Sequence, residues 1–265
     1  RRIRKSDGHV LGGPMVYLDD GLAAKGGGWK PFGKVLAMMY AIFTICSAFS
    51  VGMFQGKVSF GISAEVIPQV KEIGWMPLVY GVILAILIAI VIIGGIKRIG
   101  EVTSRLVPAM CIFYCLVCLI IIVGNLPQVP QLIGRIFCDA FTGPAMFGGF
   151  LGVLVWGMQR GAFSNEAGLG SAAIAHAAAK TEEPVREGLV AMLGPFIDTI
   201  LVCTMTALAI MATGVHEGTE IAANIEGAVL TANAFATLHW LFAYLLVPAV
   251  LVFAYSTLIS WSYYG

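Results

Sequence analysis

Six stretches of this 265-residue chain are long and apolar enough to cross a lipid bilayer, and each carries at most one charged residue. A crossing takes about 20 predominantly apolar residues. Only 12% of the residues are charged, about half the usual share in soluble domains, so lipid is the expected solvent for most of the chain. The sequence therefore predicts an all-α integral membrane protein with spans near 35–56, 76–96, 106–124, 137–158, 189–213 and 239–262.

Lysine and arginine are distributed unevenly between the two sides of these spans. The segments 1–34, 97–105 and 159–188 carry thirteen of them, and the intervening loops carry three. The positive-inside rule places the rich side in the cytoplasm. We expect a multi-pass protein of the cell (cytoplasmic) membrane, with a cytoplasmic lead-in at 1–34 and a cytoplasmic loop or helix at 159–188. The net charge of +1 offers no field for a nucleic-acid partner.

The fourth stretch is rich in residues that interrupt helices. Thr142-Gly143-Pro144 and Gly148-Gly149-Phe150-Leu151-Gly152 place four glycines and a proline within eleven residues. An interrupted helix is tolerated in hydrocarbon only where it faces protein or a watery cavity, and transporters bind substrate at such breaks. A glycine-lined groove for close helix packing accounts for the same residues. The sequence alone leaves both interpretations open.

Four polar side chains within the spans are candidates for binding a ligand or an ion. Asp198 is either an ion- or proton-handling carboxylate or a carboxylate hydrogen-bonded to helix ends near the cytoplasmic face. Gln55 is either a ligand contact or a tie between helices, and its depth depends on whether its helix ends near Gln55 or continues to about Ala64. Ser256 and Thr257 either bond the carbonyls one turn back or offer hard oxygen ligands to a small cation.

Several longer segments resemble those of one transporter family. The longest is RGAFSNEAGLGSAAIAHAAAKTEEPVREGLVAMLGPFIDTILVCTMTAL at 160–208. Shorter ones are GGPMVYLDDGL at 12–22, GMFQ at 52–55, IIGGIKRIG at 92–100, AFTGPA at 140–145 and FAYSTLISWSYYG at 253–265. Together they resemble the sodium:alanine (alanine or glycine:cation) symporter family over nearly the whole chain.

The resemblance implies a leucine-transporter-like fold of two inverted five-helix repeats plus an extra helix. It further implies symport of a small neutral amino acid, alanine or glycine, with Na⁺ as coupling ion, by alternating access and without an organic cofactor. On that basis the six spans match core helices three to eight, preceded by the tail of helix two. The chain is then a fragment lacking core helices one, nine and ten, and is not expected to transport alone.

The resemblance also assigns roles to individual residues. Gln55 matches a glutamine that contacts substrate, and Ser256 and Thr257 match a hydroxyl pair of a sodium site. The break of helix six would meet substrate through backbone groups and one ring, at Gly148, Gly149, Phe150 and Gly152. The motif S-N-E-A-G implies a gating role for Ser164, Asn165 and Glu166. This sequence departs from the family pattern around Gln55 at Gly52, Gly56 and Lys57.

The sequence leaves two alternatives open. The same scaffold could couple transport to protons through Asp198 or Lys57. A different class of function is a non-transporting membrane sensor, or an intramembrane hydrolase centred on Ser164 with Glu166 and His176 nearby. The hydrolase needs a base within hydrogen-bond reach and an oxyanion hole, and the G-x-S-x-G motif of one hydrolase class is absent from the sequence. We therefore expect a transporter rather than an enzyme.

Overall fold

The computed structural model describes residues 2–3, 10–142, 154–155, 157–158, 161, 165–181, 183–217 and 227–265. A two-stranded antiparallel pair, β1 (Arg2–Ile3) and β2 (Val10–Leu11), precedes the helices. The helices are α1 (Pro14–Ala23), α2 (Trp29–Val66), α3 (Pro68–Glu72), α4 (Met76–Ile92), α5 (Gly95–Gly124), α6 (Val129–Ala140), α7 (Glu166–Leu169), α8 (Ala172–His176), α9 (Pro184–Pro195), α10 (Cys203–Thr213), α11 (Gly227–Ala236) and α12 (Trp240–Tyr264). A 3₁₀ turn (Leu126–Gln128) precedes α6, and a π-helical segment (Phe196–Val202) joins α9 to α10.

Four helical runs in the described part of the chain are long and apolar enough to cross a membrane. They are α2 with 38 residues, α5 with 30, the continuous run Pro184–Thr213 with 30, and α12 with 25. At about 1.5 Å per residue, α2 is roughly 57 Å long, well beyond the hydrocarbon thickness of about 30 Å. Its apolar side chains remain largely exposed in the protein itself, as lipid-facing positions require.

The helices relate to the six predicted spans in three ways. The stretches 35–56 and 106–124 lie within α2 and α5, 239–262 begins one residue before α12 and otherwise lies within it, and 189–213 lies within the run of α9, the π segment and α10. The stretch 76–96 covers α4 and the turn into α5. The fourth stretch begins in α6, which ends at Ala140, and its centre at 143–153 lies outside the described residues.

The chain divides into two compact units. The first comprises Arg1–Phe49, Gly143–Leu201 and Tyr264–Gly265, and the second comprises Ser50–Thr142 and Val202–Tyr263. In the first unit, the Gly12-Gly13 turn before α1 packs closely against the end of α8. A Cβ on Gly12 would lie 2.0 Å from the Ala177 Cβ, and Gly13 has a φ of +95°. Only glycine permits both the close approach and this backbone conformation.

The core of the second unit centres on Tyr114 of α5. Its hydroxyl lies 2.7 Å from the Thr206 hydroxyl of α10. Its ring packs against Phe235 of α11 and edge-on against Phe253 of α12, with centroid separations of 5.5 and 6.0 Å. The cluster around Tyr114 consists of Val117, Cys118, Ile121, Ala209, Ala232, Phe235 and Leu246. One aromatic residue thus fixes α10, α11 and α12 against α5.

Candidate functional site

Gln55 lies inside a continuous helix. The helix passes Gln55 and ends at Val66, which answers the question that the sequence left open. The Gln55 side chain is half-buried, and its backbone carbonyl accepts a hydrogen bond from the Ser59 hydroxyl at 2.7 Å. Ser59 is itself 2% exposed. Gln55 therefore stands on a fixed helical segment whose neighbouring turn is buried.

The Ser256 and Thr257 hydroxyls share one acceptor. Both donate to the Phe253 carbonyl, at 3.0 Å from Ser256 and 2.9 Å from Thr257. These are the local bonds expected of hydroxyls on a helix. A hydroxyl that donates its proton still keeps oxygen lone pairs able to accept or to coordinate a cation. Both oxygens are held in place, and their donor chemistry fits a small hard ion such as Na⁺.

The core of the second unit positions this hydroxyl pair. The carbonyl that both hydroxyls share belongs to Phe253, whose ring packs edge-on against Tyr114. Ser256 is buried at 7% exposure. Because Phe253 is anchored through its side chain, its carbonyl and the two hydroxyls bonded to it are anchored as well.

Gly52 brings α2 close to α12 beside two of the predicted site segments. A Cβ on Gly52 would meet the Leu258 Cδ2 at 3.5 Å, an ordinary van der Waals contact. Gln55 lies three residues after Gly52, one helical turn along α2, and Thr257 immediately precedes Leu258. The structure thus brings the segment of the predicted substrate residue and that of the predicted sodium residues to the same helix pair.

In the first unit, the turn from Asn165 to Gly170 contains two of the predicted gating residues. The Asn165 Oδ1 accepts from the Ala167 N–H at 2.9 Å and so caps α7. Gly170 ends α7 with a φ of +79°, and its N–H donates to the Ala167 carbonyl. The Ser171 hydroxyl, which follows the turn and is 1% exposed, lies 3.4 Å from the Glu166 carbonyl as a donor. We call residues 165–170 the cap turn.

The cap turn makes three hydrogen bonds to long helices. The Tyr40 hydroxyl of α2 donates to the Leu169 carbonyl at 3.2 Å. The Tyr264 hydroxyl at the end of α12 donates to the Glu166 carboxylate. The Asn165 Nδ2 donates to the Asp198 Oδ2 in the π segment at 3.2 Å. The structure therefore brings together the predicted gating residues Asn165 and Glu166 and the predicted intramembrane residue Asp198.

The Glu166 carboxyl is partly buried, and its surroundings act on its protonation in opposing directions. Burial raises the pKa of Glu166 above its ordinary value of 4.5, while the bond from Tyr264 and the neighbouring His176 act to lower it. His176 also pairs with Glu187, at 2.6 Å from its Nδ1 to the carboxylate. The ionised form of Glu166 thus depends on the Tyr264 hydroxyl for its hydrogen bond.

A cavity of about 670 Å³ lies in the first unit between the start of α1, α8 and α9. Small residues line most of it, and the His176–Glu187 pair forms its polar wall. Among its described lining residues, none is a predicted substrate, sodium or gating residue. The cavity is separate from the cap turn's hydrogen bonds to Tyr40, Asp198 and Tyr264.

Comparison with models of protein families shows which family the chain belongs to. The model of the sodium:alanine symporter family matches residues 1–265, which is the entire chain. The chain belongs to the sodium:alanine symporter family. This confirms the resemblance predicted from its motifs and places the chain in a family of transporters rather than enzymes, one whose name gives sodium as the coupling ion.

Curated relatives support the same assignment. The chain is 42% identical to the sodium/alanine symporter AgcS of Methanococcus maripaludis over 265 residues, which cover all of this chain and 56% of that protein. It is 39% identical to an uncharacterized transporter of Haemophilus influenzae, again over all of this chain and 56% of the relative. A sodium/proton-dependent alanine carrier protein of Bacillus sp. strain PS3 is 37% identical over 64% of this chain and 39% of its own length. The chain spans about half the length of the first two relatives.

Some predicted site residues of this symporter-family chain lie outside the described residues. They are Gly148, Gly149, Phe150 and Gly152 of the predicted helix break, and Ser164 of the gating motif. Their assignments stay predictions.

Two residues of the cap-turn network were missed by the sequence reasoning. Tyr40 and Tyr264 each donate a hydrogen bond to the turn, yet both read as ordinary aromatic residues of apolar spans. Tyr264 belongs to the matched segment FAYSTLISWSYYG, so its place in a family motif was an available signal. Nothing in the sequence around Tyr40 distinguishes it from a lipid-facing tyrosine.

Proposed function

We propose that the protein is a secondary active symporter that moves alanine or glycine across the cell membrane with Na⁺ by alternating access. The observation that carries this proposal is the match of the whole chain to the sodium:alanine symporter family. A relative at 42% identity bears the name sodium/alanine symporter. The four long apolar helical runs suit a protein embedded in a membrane.

The proposed architecture is a leucine-transporter-like fold in which this chain supplies core helices three to eight. On this proposal α2 is core helix three and α12 is core helix eight, and the segments 1–34 and 159–188 lie in the cytoplasm. The cap turn bonds to Tyr40 near the start of α2 and to Tyr264 at the end of α12. Both helix ends are ones that the charge distribution assigns to the cytoplasmic side, which supports the proposed orientation.

The proposed substrate site includes Gln55 and the glycine-rich segment Gly148–Gly152 with Phe150. A side-chain amide can donate to a carboxylate or accept from an ammonium group, the two charged ends of an amino acid. A helix break offers free backbone groups of the same two kinds. A site lined by a ring and glycines would admit small side chains and exclude large ones.

The proposed sodium site includes the Ser256 and Thr257 hydroxyl oxygens. Na⁺ is a hard cation that binds oxygen ligands. Both hydroxyls already direct their protons to the Phe253 carbonyl, so their lone pairs are available without rearrangement. The approach of Gly52 to Leu258 sets this segment near the one that carries Gln55, which supports a direct interaction between the proposed ion and substrate sites.

Binding of alanine to the purified whole protein tests this proposal. We expect calorimetric titration to show alanine binding that strengthens at least tenfold in Na⁺ compared with choline, and Gln55→Ala to weaken it. Gln131→Ala, which changes an exposed glutamine on α6, is the matched control and should bind normally. An alanine affinity that is the same with and without Na⁺, and the same in Gln55→Ala as in the unmodified protein, would contradict the assignment. Glycine as competitor then ranks the two amino acids.

A second candidate is proton coupling on the same scaffold. It is favoured by a relative whose name is sodium/proton-dependent alanine carrier protein. Uptake driven by an inward proton gradient in Na⁺-free vesicles would support it. A strict need for Na⁺ at every pH would exclude it.

A further inference from the structure

The cap turn is bonded to three separate membrane-crossing runs. It accepts from Tyr40 of α2 and from Tyr264 of α12, and it donates to Asp198 of the π segment. Each bond uses a different residue of the turn, namely Leu169, Glu166 and Asn165. The three runs cannot separate around this turn unless these bonds break.

Asn165 uses both ends of its side-chain amide. Its Oδ1 caps α7 by accepting from the Ala167 N–H, and its Nδ2 donates to the Asp198 carboxylate. An aspartate at position 165 could still cap the helix but would face Asp198 as a second carboxylate without a donor. Asparagine is therefore the residue that satisfies both partners at once.

Asp198 lies in the π-helical segment Phe196–Val202, which begins immediately after Pro195. Pro195 has no N–H to donate to the preceding turn, so the helix is already irregular at this point. The Asp198 carboxylate, within this irregular segment, accepts the hydrogen bond from Asn165. The hydrogen bond to Asn165 explains why a carboxylate lies in this membrane-crossing run. This explanation does not require Asp198 to bind a cation.

We propose that the cap turn is a latch that holds α2, the π segment and α12 together on the cytoplasmic side, and that Asp198 is its anchor rather than a coupling carboxylate. The latch must release each time the transporter opens inward, so this inference rests on the proposed alternating-access function. In the described part of the chain, three hydrogen bonds join the turn to these runs, and a set this small can break and re-form readily. A latch held by these hydrogen bonds can form and break in every transport cycle.

Chemical labelling of a cysteine beside the latch reports its state without any need for transport. Ser171 follows the turn and is 1% exposed, so Ser171→Cys places a thiol of similar size where a maleimide cannot reach while the latch is closed. The whole protein is labelled in proteoliposomes at pH 8, with the signal of the protein lacking this substitution subtracted because six native cysteines are present.

Three variants in the Ser171→Cys background separate the possibilities. Asn165→Asp sets two carboxylates against each other, and we expect labelling to rise severalfold. Asp198→Asn keeps an oxygen that accepts from Asn165, so labelling should stay at the parent rate. The double variant Asn165→Asp with Asp198→Asn restores one donor and one acceptor in reversed order, and labelling should return to near the parent rate.

Two further variants keep the test decisive. Tyr264→Phe removes a donor to the latch without adding charge, and it should also raise labelling, even where Asn165→Asp folds poorly. Asn233→Asp changes an exposed asparagine of α11 and is the control, with labelling unchanged. The latch is wrong if Asn165→Asp and Tyr264→Phe both label at the parent rate, or if the double variant labels no less than Asn165→Asp.

Uptake assays on the same proteins test the role of Asp198. The anchor role predicts that Asp198→Asn retains Na⁺-driven uptake, because its latch remains formed. Loss of uptake in Asp198→Asn with parent-level labelling would overturn the anchor assignment. If the unmodified protein showed no Na⁺-driven uptake while the labelling pattern held, the latch would stand and the transport proposal would fail.

Discussion

At the scale of single residues, the hydroxyl pair of α12 gives the sharpest prediction about the ion. Ser256→Ala and Thr257→Ala each remove one proposed oxygen ligand while sparing the helix. We expect the apparent Na⁺ affinity of alanine uptake to fall about tenfold or more in each variant, a loss of about 1.4 kcal/mol. The measurement is the Na⁺ dependence of alanine uptake at saturating alanine.

The matched control for this experiment is Thr213→Ala. Thr213 donates to the Ala209 carbonyl at 3.0 Å, the same local bond as that of Thr257 to Phe253, but at the end of α10. A loss of Na⁺ affinity equal to that of Thr257→Ala would show that the effect arises from removing any helix hydroxyl. Unchanged Na⁺ affinity in both α12 variants would remove them from the sodium site.

Glu166 predicts a dependence of stability on pH. Its pKa is raised on folding, chiefly by burial, so its contribution to stability is fully present below its ordinary pKa of 4.5 and is lost as the pH rises through the raised value. Glu166→Gln cannot ionise, and its amide oxygen can still accept from Tyr264. We therefore expect the melting temperature of Glu166→Gln, relative to that of the unmodified protein, to rise between pH 4 and pH 7.

Thermal unfolding in detergent at several pH values measures this difference. Glu183→Gln is the control, since Glu183 is exposed and the substitution should leave the pH profile as it was. Parallel profiles for Glu166→Gln and the unmodified protein would mean that ionisation of Glu166 does not oppose folding.

Single residues also show where sequence reasoning reaches its limit. Asn165 and Glu166 could be singled out because they belong to a motif, and Asp198 because a charge in an apolar run is costly. That Asn165 bonds to Asp198 could not be predicted, because the two residues are 33 positions apart and nothing local relates them. The partners Tyr40 and Tyr264 depend on how the helices pack.

At the scale of helices, hydropathy located the long runs but not their irregularities. The sequence predicted stretches that coincide, to within one residue at their starts, with parts of α2, α5, α12 and the run Pro184–Thr213. It did not predict the π segment after Pro195, which depends on backbone bonding rather than on hydropathy. It also missed α11, because its ten residues are too short for a span and include polar Thr231 and Asn233.

The helix contacts around Tyr114 predict how strongly this core depends on one hydrogen bond. Tyr114→Phe deletes the bond to Thr206 and should cost about 0.6 kcal/mol, a typical value between membrane helices. Phe235→Ala empties a fully buried position and should cost about 3 kcal/mol or more. Thermal unfolding of the purified protein ranks the two variants.

Tyr244→Phe is the control for the Tyr114 experiment. Tyr244 lies on α12 and is 44% exposed, so loss of its hydroxyl should leave the melting temperature unchanged. A Phe235→Ala protein as stable as Tyr114→Phe would show that the aromatic cluster does not hold α11 in place.

At the scale of the whole molecule, composition and charge carry most of what the sequence can predict. A low share of charged residues fixes lipid as the solvent, and segments such as 160–208 identify the family. The sequence does not predict the approach of Gly52 to Leu258 or the contacts of the cap turn with three helical runs. These contacts are seen only in the folded structure. The predicted pair of Ser256 and Thr257 needed the structure to reveal that both hydroxyls bond one carbonyl.

Uptake of radiolabelled alanine by proteoliposomes containing the whole protein is the most direct test of Na⁺-coupled movement of a small neutral amino acid. A Na⁺ symporter should accumulate alanine above the external concentration when an inward Na⁺ gradient is imposed, and should not do so when choline replaces Na⁺ or when an ionophore dissipates the gradient. Alanine accumulation of equal size with and without the Na⁺ gradient would contradict Na⁺ symport.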